Sequence, residues 1–360
     1  MSALNFAIVG AGGITLQNHL PGLALCSEVR VRAVCDANPA TLEQARSSTG
    51  APVASGDWRE VVGRDDVDAV IIATPNFLHP EIAVTAARAG KHVLCEKPLA
   101  LNAADARRMA EEADRAGVRH MTAFTYQFVP AMRYLRHLVA RGDLGRPYHY
   151  RSCRLQDWGT RNLGWRQQRK WAGTGELGDM LSHRIDFAHQ LVGPMRRLVA
   201  NVMNLTPVRG GAPNDTDDWV AILAEFESGA SGVLESSKLA SGRNESWRSL
   251  DSVEINGSEA SFEFTTGRWN ELMAGKVGGP GMARLEVPRE FWVWPGSPRD
   301  PGVGDPLVSF RYDQAIEFVN AIREQRPCAV TFHDGARAQA VMDLAVRSAE
   351  TGRWVELSEA

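Results

Sequence analysis

The chain has 360 residues, 44% apolar and 23% charged, with 40 basic and 43 acidic side chains and a net charge of −3. That length suggests two domains, and that composition excludes a disordered chain, which could not offset the entropy of ordering. Near-neutral charge leaves no sequence-wide footprint for nucleic acid, and no apolar run reaches the ~18–20 residues that cross a bilayer.

The first third alternates short apolar runs with helical patterns. Strands are predicted at Phe6–Val9, Val29–Cys35, Ala69–Ala73, His92–Cys95 and His120–Phe124. Helices are predicted at Leu16–Leu25, Ala40–Ser48, Pro80–Ala89 and Ala103–Ala116, several followed by glycine (Gly50, Gly90, Gly117) as helix ends often are. Strands apolar on both faces suit a buried parallel sheet, so the alternation predicts a doubly wound α/β domain.

The pattern changes near residue 125. A helix at Ala131–Arg141 precedes an extended stretch, Tyr148–Leu155, and a helix over roughly Gly178–Leu191. Hairpin signals follow at Glu227-Ser228-Gly229 and Asn256-Gly257-Ser258. Strands without intervening helices predict an α+β domain with an antiparallel sheet. The segment 267–306 holds eight Gly and six Pro in 40 residues, which predicts a long loop or arm carrying Trp269, Trp292 and Trp294 toward a partner surface. Helices at about Tyr312–Glu324 and Gly335–Ala349 close the chain. The N-terminus, MSALNFAIVG, has no basic n-region or small-residue cleavage site. The five cysteines (Cys26, Cys35, Cys95, Cys153, Cys328) are scattered and lack CxxC spacing. Both features fit reduced thiols in a cytoplasmic protein.

The first strand delivers Gly10-Ala11-Gly12-Gly13-Ile14 into a helix. Glycine permits the tight turn and lets backbone approach a pyrophosphate, which then sits on free N–H groups. The third glycine of G-x-G-x-x-G is absent, with Thr15 in its place. Asp36 ends the second strand 24 residues after Gly12, where a carboxylate grips adenosine ribose hydroxyls and repels a 2′-phosphate. NAD is therefore expected over NADP. The alternative for Asp36 is a cap for the helix after Pro39.

Three more constellations lie at strand ends or on one helix. Thr74-Pro75-Asn76 with His79 ends the third run, either touching a cofactor or simply starting a turn. Glu96-Lys97-Pro98 ends the fourth, placing a cation at the ligand side of the sheet or merely at a surface loop. Pro98 restricts Lys97 to extended backbone and permits a cis bond. Asp179 and His183, four residues apart, share a helix face as a candidate orienter and base or as an ordinary surface pair. A metal site from Asp179, His183 and His189 fits that face poorly, so no metal is expected.

Together these motifs, with His19-Leu20-Pro21 after the glycine turn, resemble the glucose–fructose oxidoreductase / inositol dehydrogenase / rhizopine catabolism (Gfo/Idh/MocA) family. Trp165-Arg166 followed by Gly175-x-Leu177-x-Asp179-x-x-x-His183-x-x-Asp186 resembles its second signature. The resemblance runs over essentially the whole chain. It implies a Rossmann domain over 1–125 and an α+β domain over 126–360, whose large, mostly antiparallel sheet binds substrate and forms homodimers or homotetramers. It implies hydride transfer between a secondary alcohol of a sugar or cyclitol and NAD(P), with Lys97, Asp179 and His183 as the catalytic group. Cofactor contacts are implied at Gly10, Gly12, Gly13, Ile14, Asp36, Thr74, Pro75, Asn76, His79, Glu96, Lys97, Trp165 and Arg166. Substrate contacts are implied at Lys97, Tyr126, Arg154, Asp179 and His183. Two positions depart from the family pattern: Gln127 where arginine is frequent, and Leu181 where glycine is frequent.

Segment 151–171 carries Arg151, Arg154, Arg161, Arg166, Arg169 and Lys170 against one acid, Asp157, with Trp158, Trp165 and Trp171. Indole faces suit sugar C–H surfaces, and guanidinium groups pair with carboxylate or phosphate. A carbohydrate, optionally anionic, is one reading; structural and cofactor roles for these cations are the other. A glycosidase using NAD in transient oxidation and elimination, and a cofactor-binding regulator, are the alternative functions.

Overall fold

A computed structural model describes residues 3–245 and 250–359. The chain divides into two compact units: Met1–Thr125 with Trp294–Asp300 and Ser309–Ala336, and Tyr126–Val293 with Pro301–Val308 and Arg337–Ala360. The segments 294–300 and 309–336, expected in the second domain, thus cluster with the first.

The first unit holds a six-stranded parallel sheet of β1 (Leu4–Val9), β2 (Val29–Cys35), β3 (Val53–Ser55), β4 (Ala69–Ile72), β5 (His92–Cys95) and β6 (His120–Thr122). Their order is β3-β2-β1-β4-β5-β6. The order in which strands are added reverses between β1 and β4, and ligands of such sheets bind at the carboxyl ends beside that switch point. All four residues of β4, Ala-Val-Ile-Ile, are buried; each such isoleucine gains about 1.5–3 kcal/mol of transfer free energy. β3 escaped prediction because three residues carry too little pattern. Asn38 Oδ1 caps the helix Pro39–Thr49, accepting from Ala40 N–H at 2.9 Å and Thr41 N–H at 3.2 Å. Asn102 caps Ala103–Arg115 through Asp105 N–H at 2.8 Å. Of the late segments, the helix Asp313–Arg323 packs here, with Phe318 edge-on to Phe6 of β1.

The second unit is built on a nine-stranded sheet. Its strands are β7 (Pro147–Leu155), β8 (Met195–Met203), β11 (Trp219–Phe226), β12 (Ser231–Ser237), β13 (Leu250–Gly257), β14 (Ala260–Thr265), β15 (Glu271–Lys276), β16 (Ala283–Glu286) and β17 (Val355–Glu356). The pair β9 (Val208–Arg209) and β10 (Ala212–Pro213) forms a separate two-stranded ribbon. The nine run β16-β15-β14-β13-β7-β12-β11-β8-β17, antiparallel except for the parallel β7–β12 pair. Alternating burial along β11, β12 and β13 puts one face in a core.

The segment 267–306 corrects the expectation of a structureless arm. It contains β15 and β16, whose ladder pairs Leu272 with Leu285. Its tryptophans are half-buried within the chain. Trp269 and Trp292 meet edge-on at 5.2 Å, and Trp294 Nε1 donates to Glu317 Oε2 at 2.8 Å. Gly278, Gly279, Pro280 and Gly281 make the connection between the two strands, and the other glycines and prolines, Gly275 of β15 apart, lie before or after the hairpin.

Candidate functional site

In the first unit, Gly10 follows β1 with φ +90°, and a Cβ there would lie 2.4 Å from Ala73 O. Only glycine fits that crossing of two strand ends. At Gly12 and Gly13 a Cβ would meet nothing within 4 Å, so their backbone borders open space. Thr15, in the missing third glycine's place, donates its hydroxyl to Gly10 O at 2.6 Å and ties the turn shut. The helix begins as a π turn, Thr15–His19, and no side chain caps it at Ile14. That exposed N-terminus suits an anion.

Asp36 is not the cap of the next helix; Asn38 is. Its Oδ2 accepts Ala11 N–H at 2.8 Å and its Oδ1 accepts Asn38 N–H at 2.8 Å, so the carboxylate stands beside the glycine turn at the end of β2. An open glycine turn, an uncapped helix start and an adjacent carboxylate together fit a dinucleotide.

Thr74, Pro75 and Asn76 follow β4, and Glu96, Lys97 and Pro98 follow β5, at the same sheet edge. The Lys97–Pro98 bond is cis. Two expected cofactor contacts are enclosed by the protein itself. His79 is fully buried, its ring nitrogens 3.0 Å from Thr74 O and 3.0 Å from Pro98 O. Burial holds its imidazole below the ordinary value, against the pull of those carbonyls. Glu96 is buried and accepts His19 Nε2 at 2.9 Å. Burial pushes its carboxyl up, but His19 and Lys97 bring it below the usual range.

In the second unit, Asp179 sits half-buried in another π turn, Leu177–Leu181, which runs into the helix Ser182–Leu191 carrying buried His183. π turns recur at functional positions. Tyr126 meets the His183 ring edge-on at 4.7 Å. The Arg184 and Arg154 guanidinium groups lie 5.0 and 5.5 Å from the Tyr126 ring. Arg154, expected to touch substrate, is buried, donating to Asp251 Oδ2 at 2.5 Å and Gln156 Oε1 at 2.9 Å. Arg184 holds the other Asp251 oxygen. Burial pushes the Asp251 carboxyl up, and the two guanidinium groups bring it below its ordinary value. At the departed position, Gln127 accepts Arg136 Nη1 at 2.7 Å and donates to Asp186. Trp165 and Arg166 lie on a 3-10 turn, the guanidinium 4.4 Å above the indole.

Sequence reasoning missed what seats this turn. Asp217 accepts Gly175 N–H at 2.6 Å and Leu177 N–H at 2.7 Å. Glu176 is buried between Ser236, which donates to it, and Lys238, whose Nζ is 3.6 Å away; burial pushes its carboxyl up. Asp217 lies 40 residues beyond Leu177, so no local pattern could pair them.

Asp114, His120 and His333 offer ligand atoms within 4.8 Å of one another. His120 Nδ1 accepts Phe332 N–H at 3.0 Å, so Nε2 carries the ring proton and donates to Asp114 at 3.0 Å. That proton stands where a metal would bind, and the trio is a hydrogen-bonded ion cluster.

Residues 4–124 match the model of the GFO/IDH/MocA oxidoreductase family with NAD-binding Rossmann fold, and residues 132–263 match the GFO/IDH/MocA C-terminal domain. The chain is 32% identical to levoglucosan dehydrogenase of Pseudarthrobacter phenanthrenivorans, covering 100% of this chain and 99% of that one. It is 26% identical to myo-inositol 2-dehydrogenase of Thermotoga maritima, over 99% of each. A structure of levoglucosan dehydrogenase in complex with NADH and levoglucosan superposes with a TM-score of 0.90, 31% identity and coverage of 99% and 100%. The chain belongs to the GFO/IDH/MocA family of oxidoreductases, with the NAD-binding Rossmann fold in its first unit.

Proposed function

We propose that this protein is an NAD-dependent dehydrogenase acting on a secondary alcohol of an uncharged sugar or cyclitol. The observation that carries the reading is one chain bearing both an Asp36-braced glycine turn and a buried imidazole, His183, on a helix entered through the Asp179 turn. Full-length similarity to levoglucosan and myo-inositol dehydrogenases supports it. The cofactor contacts are assigned to Gly10, Gly12, Gly13, Ile14, Asp36, Thr74, Pro75, Asn76, Lys97, Trp165 and Arg166. His79 and Glu96 act behind them.

Bound nicotinamide supplies the acceptor for the hydride leaving the carbinol carbon. Neutral His183 takes the hydroxyl proton. The Lys97 ammonium stabilises charge growing on that oxygen, and Asp179 orients the imidazole or grips a neighbouring hydroxyl. Tyr126 lines the site, and Arg154 acts through it. The Asp36 carboxylate favours NAD by repelling a 2′-phosphate.

The pairing of cations supports an uncharged substrate. Arg154 is held by Asp251, Arg161 by Glu245, Arg184 by Asp251 and Lys238 by Glu176. Arg166 lies over Trp165 and Lys170 over Trp171. Self-association is assigned to the open sheet face, where Leu223 (44% exposed) lies between Val199 and Val233 across the register. Leu223→Lys is expected to yield monomer in size-exclusion chromatography. Five unpaired, buried thiols support a reducing compartment, and no helix among the described residues is long and apolar enough to cross a membrane.

The test is NADH absorbance with levoglucosan, inositols, neutral sugars and uronic acids. Growth with a neutral polyol, lost in Lys97→Met, Asp179→Asn and His183→Asn while NADH still binds, is the expected result. Turnover of uronic acids alone would overturn the uncharged-substrate reading. Full activity of the three variants would overturn the catalytic assignment.

A further inference from the structure

The carboxyl end of β5 is gripped by two histidines that proton handling does not use. His19 closes the π turn that begins at the glycine turn, and its Nε2 donates to Glu96 Oε1 at 2.9 Å, with side chains 2% and 10% exposed. The other Glu96 oxygen accepts Lys97 N–H at 3.3 Å, and Glu96 N–H donates to Ile72 O at 2.9 Å. His79 opens the helix His79–Arg88, which follows Thr74-Pro75-Asn76. Its two ring nitrogens lie 3.0 Å from Thr74 O and 3.0 Å from Pro98 O. Lys97 therefore stands between two residues, each clasped by an imidazole from a different cofactor-side segment. Hydrogen bonds to a carboxylate in a low-dielectric interior are short and strong, and a buried ring set between two carbonyls, its one N–H donating to either of them, has little freedom to swing.

Resting on the assignment of Lys97 above, we propose that His19 and His79 are positioning residues. They tie the glycine turn and the Thr74-Pro75-Asn76 loop to the backbone on either side of Lys97, so that a dinucleotide held by those segments sets the place of the Lys97 ammonium. A small misplacement of a charge-stabilising group lowers turnover without removing the group, so such braces act on rate more than on binding.

The chain has five lysines, Lys91, Lys97, Lys170, Lys238 and Lys276. Reductive ¹³C-dimethylation, which keeps the positive charge, therefore gives a sparse NMR spectrum, and Lys97→Arg assigns the signal. In the wild type, NADH is expected to shift the Lys97 signal. In His79→Phe and His19→Leu, NADH still binds, its dissociation constant changed by less than about tenfold, while most of the Lys97 shift is lost. His19→Gln keeps an N–H donor toward Glu96 and restores it, which a purely structural role would not require. A wild-type-sized shift in both His79→Phe and His19→Leu overturns the proposal, as does a Lys97 signal indifferent to NADH in the unmutated protein. Should either variant fail to fold by circular dichroism, the ring ¹⁵N resonances of His19 and His79 in the unmutated protein decide. They must move with NADH, and still rings beside a moving Lys97 signal overturn the coupling. Turnover surviving in Lys97→Met overturns the catalytic reading instead, and leaves the NADH-induced shift as a separate result.

Discussion

Asp217→Ala probes how the Asp179 turn is held. Both carboxylate oxygens are used, on Gly175 N–H at 2.6 Å and Leu177 N–H at 2.7 Å, and Asp217 O accepts Glu176 N–H at 3.0 Å. Three successive N–H groups entering the π turn thus converge on one residue. Asp217 and the turn residues Leu177 and Gly178 are buried. Truncation leaves two buried donors without their charged acceptor. At about 1.5–3 kcal/mol for each hydrogen bond to a charged group, the loss is about 3–6 kcal/mol. For a unit of this size that lowers the melting temperature by roughly 6–24 °C. Turnover should fall further than stability explains, because Asp179 rides on the loosened turn. Asp217→Asn retains one acceptor and turns an amide N–H toward the second donor, so it should rank between wild type and alanine. Calorimetry and initial rates at 15 °C, where all three proteins remain folded, separate the two effects. An alanine variant melting within about 2 °C of wild type with unchanged turnover would refute the reasoning. Gly175→Ala makes the same point sterically, since its Cβ would fall 2.1 Å from Asp217 O.

Three further outcomes are expected. Asp36→Ser removes one charge opposing a 2′-phosphate, worth about 1–3 kcal/mol at a partly exposed site, so the NADP-to-NAD ratio of kcat/KM should rise about 5–150-fold; an unchanged ratio counts against the ribose assignment. Burial holds His79 and His92 below the ordinary imidazole value, with Arg119 adding to the effect at His92. The unfolded chain then binds more protons, so stability should fall as pH drops below about 6.5 toward their folded values. Depressed carboxyls such as Asp251 add a second loss only below about pH 4. Urea midpoints at about pH 8, 6.5, 5.5, 4 and 3 read both stages, and a flat profile down to about pH 4 refutes the first. Burial pushes the Cys26 and Cys35 thiols up to about 12 and Cys153 up to about 11, and raises Cys95 and Cys328 as well. A thiol reagent at pH 8 should therefore titrate none of the five in native protein and all five after unfolding.

Local order determined much of what could be read from the chain alone. The first-unit alternation of apolar runs and helical periods is a short-range pattern, and it placed β1, β2, β4, β5 and β6 and the strand-end motifs between them. The turn at Asn256-Gly257 and the run Gly175–Asp186 are equally local. Tertiary structure decided everything that depends on distant residues meeting. It made Asp36 a brace for Ala11 rather than a helix cap, because Asn38 reached the cap first. It enclosed His79 and Glu96, whose partners Pro98 and His19 lie 19 and 77 residues away. It brought Asp251 to Arg154 across 97 residues, so that a cation read from the sequence as facing substrate is buried on a carboxylate. It also returned segments 294–300 and 309–336 to the first unit. Motif spacing records which chemical groups the chain carries; which of them are left to act is settled by the partners that folding brings within hydrogen-bonding distance.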